Sequence, residues 1–169
     1  MKQGLWHHLD LIARNLSPFA ITVFLVMAGV VPLGLPDLAP IFPALALIAV
    51  YYWAVHRPDL MPVWAVFLIG LFQDLLNGGP LGVGVVTLLV VHAMVGSLRR
   101  YFVGASLPVL WLVFAPVAAA AITTLWLLTC LLLWTLLDPE PAAFQYLTTM
   151  AAYPCLAWLF AQAQRAFLR

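Results

Sequence analysis

Charge is what this chain has least of. Of 169 residues, seven are Lys or Arg and six are Asp or Glu, and lysine occurs once, at Lys2. Such scarcity excludes the polar shell of an ordinary soluble domain, and seven scattered basic residues make no basic face for a nucleic acid. Cysteine is nearly absent as well. Cys130 and Cys155 fall within apolar segments at different depths, which reads as two buried thiols and not a disulfide. Enzyme signatures are missing: there is no Gly-x-Ser-x-Gly, no His-Glu-x-x-His, no phosphate-cradling loop ending in Lys-Ser/Thr and no pair of carboxylates inside an apolar run. His7 and His8 are adjacent, so they point about 100° apart on a helix, and they lack the Cys or acidic companions of a metal site. The chain is therefore expected to be no enzyme, with no catalytic residue, no cofactor and no metal.

Hydrophobic residues fill the space that charge leaves, at 66% of the chain with a mean hydropathy of +1.08. A polytopic membrane protein is the class that remains, and spans of about 20 residues leave room for roughly six. The segments are apolar on every face, without the period-2 alternation of barrel strands, so they read as helices. The breaks place spans at residues 17–31, 38–55, 59–76, 81–98, 106–137 and 142–160. Pro32, Gly34 and Pro36 separate the first two, Asn77-Gly78-Gly79-Pro80 the third and fourth, and Asp138-Pro139-Glu140-Pro141 the last two. Ser17-Pro18 reads as a cap opening the first span, Asp59 as a cap for the third, and Ser106 with Pro108 as the start of the fifth. At about 45 Å the fifth exceeds a hydrocarbon layer of about 30 Å, so it must tilt, kink near Pro116 or protrude. Ala115 and Ala118 to Ala121 allow close packing there. Pro154 is expected to kink the sixth span, and Tyr51, Tyr52 and Trp53 are expected in an interfacial aromatic belt.

Residues 1–16 carry apolar positions at helical spacing, with Lys2, Gln3, Asp10 and Arg14 on the other face, the pattern of a helix lying on the membrane surface. Three regions follow: this cytoplasmic surface helix, a six-helix transmembrane domain at 17–164 and a cytoplasmic tail at 165–169. With both termini inside, Lys2, Arg14, Arg57, Arg99, Arg100, Arg165 and Arg169 all fall in the cytoplasm. The opposite loops hold Asp37, Asp138 and Glu140. The expected fold is thus an all-α, integral membrane bundle of six transmembrane helices with both ends inside.

Residues 70–100 hold the one acidic residue inside an apolar segment, Asp74, with a glycine-rich turn and the lone histidine of the spans, His92. A carboxylate near the outer end of the third span costs roughly 2.5–3.5 kcal/mol on insertion scales, so it needs partners. The N-terminus of the fourth span offers the free amides of Leu81, Gly82 and Val83. Asp74 is read as a staple across this turn, or as an acid lining a groove for a ligand or a partner helix. His92 lies too deep to meet it and is read as an interhelical polar contact, and Gln73 offers another. Gly70, Gly78, Gly79, Gly82, Gly84 and Gly96 read as turn and close-packing positions. The groove candidates are Gln73, Asp74, Gly78, Gly79, Leu81 and Gly82.

The run Gln73-Asp74-Leu75-Leu76-Asn77-Gly78-Gly79-Pro80-Leu81-Gly82 resembles the signature of the MreD family, rod-shape-determining membrane proteins of bacteria. The resemblance implies a multi-pass inner-membrane subunit of the cell-elongation complex, without enzymatic activity, that supports peptidoglycan synthesis. MreC is the direct partner it implies, with MreB, RodA and a penicillin-binding transpeptidase as complex members and membrane lipid around the bundle. The family is in turn similar to the six-helix substrate-binding S-components of energy-coupling-factor transporters, whose vitamins bind near the outer face. That likeness supplies the alternative, a small-molecule-binding transporter component.

Overall fold

The computed structural model describes residues 18–29, 42–101 and 104–167. The expected surface helix at 1–16, the break at 32–37 and the last two residues of the tail lie outside them. Every regular element among the described residues is helical: α1 Pro18–Gly29, α2 Leu45–His56, α3 Val63–Asn77, α4 Val83–Leu98, α5 Leu107–Leu133 and α6 Glu140–Phe167. Single 3-10 turns at Pro58–Leu60 and Arg99–Tyr101 follow α2 and α4.

Backbone chemistry sets most boundaries. Gly78 (φ 64°) ends α3 in the left-handed region and Gly82 (φ 100°) precedes α4, so the turn between them has two positions that favour glycine. Ser106 stands before α5 as expected, with Pro108 inside its first turn. Asp59, by contrast, does not cap α3. It sits in the 3-10 turn, and α3 starts after extended Pro62, whose carbonyl receives the N–H groups of Ala65 and Val66. α2 begins at Leu45 and not near residue 38, because Pro43 supplies no N–H and disfavours helix in the residue before it. α5 ends four residues short of Leu137: Trp134 turns left-handed (φ 51°), and the Leu137 N–H meets the Cys130 Sγ at 3.4 Å. α6 runs uninterrupted past Pro154 to Phe167, so most of the expected tail is helix.

α2 is the hub. It touches α3, α4, α5 and α6, and its residues from Ala46 to Val55 are all buried. Covered on every side, it turns Tyr51, Tyr52 and Trp53, each 1% exposed, into core, not an interfacial belt. Phe114 and Tyr153 stack at 4.5 Å, Tyr51 lies 4.9 Å from Phe114, and Tyr52 lies 5.0 Å from Phe160. The Tyr51 hydroxyl donates to the Leu110 carbonyl at 2.9 Å, and the Tyr52 hydroxyl to Gln164 Oε1 at 3.1 Å. Ala118 and Ala121 are fully buried, which is how α5 comes close.

The exterior is apolar where a soluble protein would be polar. Val63, Trp64, Phe67 and Leu68 face outward from α3, Leu112 and Leu131 from α5, and Leu147 and Trp158 from α6. Cys155 joins this outer surface and Cys130 is half-buried, so both thiols are free but neither is a core residue as expected. Among the described residues two helices are long and apolar enough to cross a membrane: α4 with its 3-10 extension, Val83–Tyr101, and α5, whose 27 residues pass Pro116 without a break. α5 is about 40 Å long. α2 and α3 are apolar but shorter, at 12 and 15 residues, against the roughly 20 a full crossing takes, and the described part of α1, Pro18–Gly29, is apolar too.

Candidate functional site

Among the described residues α3 and α4 form the most extensive helix pair, and glycine makes it so. A side chain on Gly70 would stand 2.6 Å from the Val85 Cα, so the two backbones touch where only hydrogen fits. One turn further along α3, Asp74 is 7% exposed and points into the start of α4. Its Oδ2 receives the Gly82 N–H at 2.8 Å and its Oδ1 the Gly84 N–H at 2.9 Å, with a longer 3.4 Å approach from the Val85 N–H to Oδ2. A Cβ on Gly84 would collide with the Asp74 carboxylate. The first turn of a helix has free amides and a positive end, and both favour the charged oxygens here. The staple across the turn therefore exists. Its donors differ in part from expectation: Gly82 is shared, but Leu81 and Val83 give way to Gly84 and Val85, because the Val83 N–H turns toward the Pro80 carbonyl (3.5 Å).

The other groove candidates divide between two surfaces. Gln73 is half-buried, and its Oε1 is sealed from solvent without a hydrogen-bond partner among the described residues. It borders a small polar cavity of about 100 Å³ together with Asn77 and Gln145. Gly78, Gly79 and Leu81 instead lie on the outer rim, where Leu75 and Leu81 are 61% and 63% exposed. Gly79 and Gly96 have open space around the position of a Cβ, so close packing does not explain either of them.

His92 does make an interhelical polar contact, but with backbone: its Nε2 lies 2.9 Å from the Met61 carbonyl in the α2–α3 connection. Met61 and Asp74 are 13 residues apart on or beside α3, about 20 Å along a helix, so His92 and Asp74 serve opposite ends. Arg99 adds a clamp at the His92 end, its Nε donating to the Val55 carbonyl at the end of α2 (3.2 Å). α4 is thus pinned by a carboxylate at its start and by two side chains near its finish. Sequence reading missed Arg99 as a clamp and Gln145 as a cavity residue. Gln145 and Thr149 stand four apart on α6, and Thr149 Oγ1 receives the Ala44 N–H at 3.0 Å, so a polar pair at helical spacing in an apolar run was the available signal.

Among the described residues no cluster of three or more His, Cys, Asp and Glu side chains forms a metal site. Comparison with models of known protein families, with curated proteins and with solved structures finds no match.

Proposed function

We propose that this chain is a multi-pass bacterial inner-membrane protein of the cell-elongation complex, MreD-like, that acts by binding MreC and supporting peptidoglycan synthesis beside MreB, RodA and a penicillin-binding transpeptidase. The observation that carries this is the run from Gln73 to Gly82. It resembles the MreD signature, and it is folded as a tight α3–α4 corner whose Asp74 is committed to holding the corner and whose rim, Leu75, Leu76 and Leu81, stays exposed. A rigid corner with an uncovered apolar rim suits a binding surface for a protein helix or stem. Six spans with both ends inside fit the same picture: Arg57, Arg99, Arg100 and Arg165 gather at the end of the molecule remote from Asp74, Asp138 and Glu140. The short helices α2 and α3 sit in such a bundle with the bilayer thinned or the helix ends extended by loops.

The test is co-purification. Leu81→Arg and Gly79→Arg alter the rim and leave the Asp74 corner intact, so they should reduce MreC recovery while the protein keeps its thermal stability. Depleting the protein in its host should turn rods into spheres. Undiminished MreC recovery with both variants and retained rod shape would together reject the proposal.

The transporter alternative has one observation in its favour, the polar cavity beside Gln73, Asn77 and Gln145. At about 100 Å³ it falls below the roughly 300–1,000 Å³ of ordinary small-molecule pockets. A vitamin retained through purification would nevertheless establish it.

A further inference from the structure

The end of the molecule remote from Asp74 carries positive charge that no described residue neutralises. Arg57 closes α2, Arg99 and Arg100 lie in the 3-10 turn after α4, and Arg165 follows Gln164, whose Oε1 receives the Tyr52 hydroxyl. Arg99 Nε donates to the Val55 carbonyl, two residues before Arg57, so α2 and α4 end side by side here. Asp59, exposed in the α2–α3 connection, is the one acid at this end among the described residues, and it forms no salt bridge with any of these arginines.

Two of the guanidinium groups belong to half-buried residues and keep unused donors. Arg99 commits Nε to Val55, and neither of its Nη atoms has a hydrogen-bond partner among the described residues; the Arg57 guanidinium has none at all. A planar fork of free N–H groups suits a phosphate, which it holds through two parallel bonds. Arg100 is exposed, its guanidinium 4.8 Å from the centre of the Tyr101 ring.

Depth and flank select the source of that phosphate. From Val83 to Tyr101, α4 and its extension run 19 residues, about 28 Å, close to a hydrocarbon layer of about 30 Å. When α4 crosses, the arginines stand at the level of lipid phosphates. The surface beside them is apolar and aromatic: Val63 and Trp64 open α3 at 59% exposure each, and Tyr101 is 66% exposed. Tryptophan and tyrosine belong to that interfacial level. An acidic protein bound to the arginines would leave these side chains uncovered, whereas an anion that brings its own acyl chains covers them. Zwitterionic lipid carries a compensating cation that the arginines repel.

We infer that Arg57, Arg99 and Arg100 form a headgroup site for an anionic glycerophospholipid, with its phosphate on the Arg57 and Arg99 guanidiniums and its acyl chains along Val63 and Trp64. The site requires that α4 cross the membrane. It is independent of MreC, so its failure leaves the elongation-complex reading standing.

The full chain, delipidated in detergent, is offered dioleoyl phosphatidylglycerol and dioleoyl phosphatidylcholine, equal in acyl chains and different in net charge, and bound lipid is counted by native mass spectrometry. The wild type should favour phosphatidylglycerol by about fivefold for each arginine engaged. Arg57→Gln and Arg99→Gln should each lower the preference by about that factor, and the double variant should lose most of it. Arg57→Gln leaves the Arg99 bond to Val55 in place, so its effect is read without disturbing the helix contact. Asp138→Asn with Glu140→Gln makes the opposite end more positive and should change nothing. Equal retention of the two lipids by the wild type overturns the inference and leaves the arginines to an acidic protein. So does a preference that survives the double variant, or one that rises with Asp138→Asn and Glu140→Gln, the mark of net charge alone. Glycerophosphoglycerol, the headgroup without chains, should not displace the lipid at equal concentration; displacement would assign the site to a soluble anion and overturn the inference as well.

Discussion

The Asp74 carboxylate receives the Gly84 N–H at 2.9 Å in the space where any side chain on residue 84 would stand. The two residues are therefore one device. The acid needs the bare backbone to come close, and the bare backbone leaves an amide that needs an acceptor away from water. Removing either side leaves the other without its partner.

Asp74→Ala removes the acceptor for the amides of Gly82 and Gly84 and should lower unfolding stability by ~2–4 kcal/mol. Asp74→Asn keeps one carbonyl oxygen and should fall between Ala and wild type. Thermal unfolding in detergent, followed by size-exclusion recovery, measures both; equal midpoints for all three proteins would contradict the clasp.

Glycine substitutions should rank by geometry. Gly84→Ala and Gly70→Ala force Asp74 or the Val85 backbone aside and should cost about 1–3 kcal/mol each. Gly79→Ala has open space and should stay within about 0.5 kcal/mol of wild type. The same unfolding assay orders them, and a Gly79 effect as large as that of Gly84 would overturn the ranking.

At the opposite end, His92→Phe loses the bond to the Met61 carbonyl and should destabilise by roughly 1 kcal/mol. Arg99→Ala releases the Val55 carbonyl from a half-exposed site, so a smaller loss is expected. Combining Asp74→Asn with His92→Phe should give additive effects, since the sites sit at opposite ends of α4. Strong non-additivity would show the two ends to be coupled.

Membrane orientation can be read from accessibility. In a background of Cys130→Ser and Cys155→Ser, Gly79→Cys should react with a membrane-impermeant maleimide in intact cells and Arg100→Cys only after lysis. The reverse pattern would invert the proposed topology, and labelling of both in intact cells would break the proposed six-span arrangement.

Much of this was legible in the primary structure because it rests on local chemistry. Pro, Gly and Ser set the breaks, and an isolated acid in an apolar run had to find donors at the next helix start. Asp74 has them, and His92 has its interhelical contact. What local pattern did not reveal is which apolar face looks inward. Tyr51, Tyr52 and Trp53 read as a belt because aromatics near a helix end suit a membrane interface, yet they are core because four helices close around α2. Gln73 stood beside Asp74 in the chain, but consecutive residues diverge on a helix, and it borders a cavity with Asn77 and Gln145 instead.

The sequence by itself determined that the described residues are helical and apolar, that Asn77 to Pro80 turns, and that Asp74 needs a partner, because hydropathy and backbone preference act within a few residues. Only the tertiary structure decided which amides answer Asp74 and which carbonyls His92 and Arg99 hold. These are relations between segments distant in the chain, and where every face is apolar the pattern carries no mark of inside and outside. Packing distance alone distinguishes them.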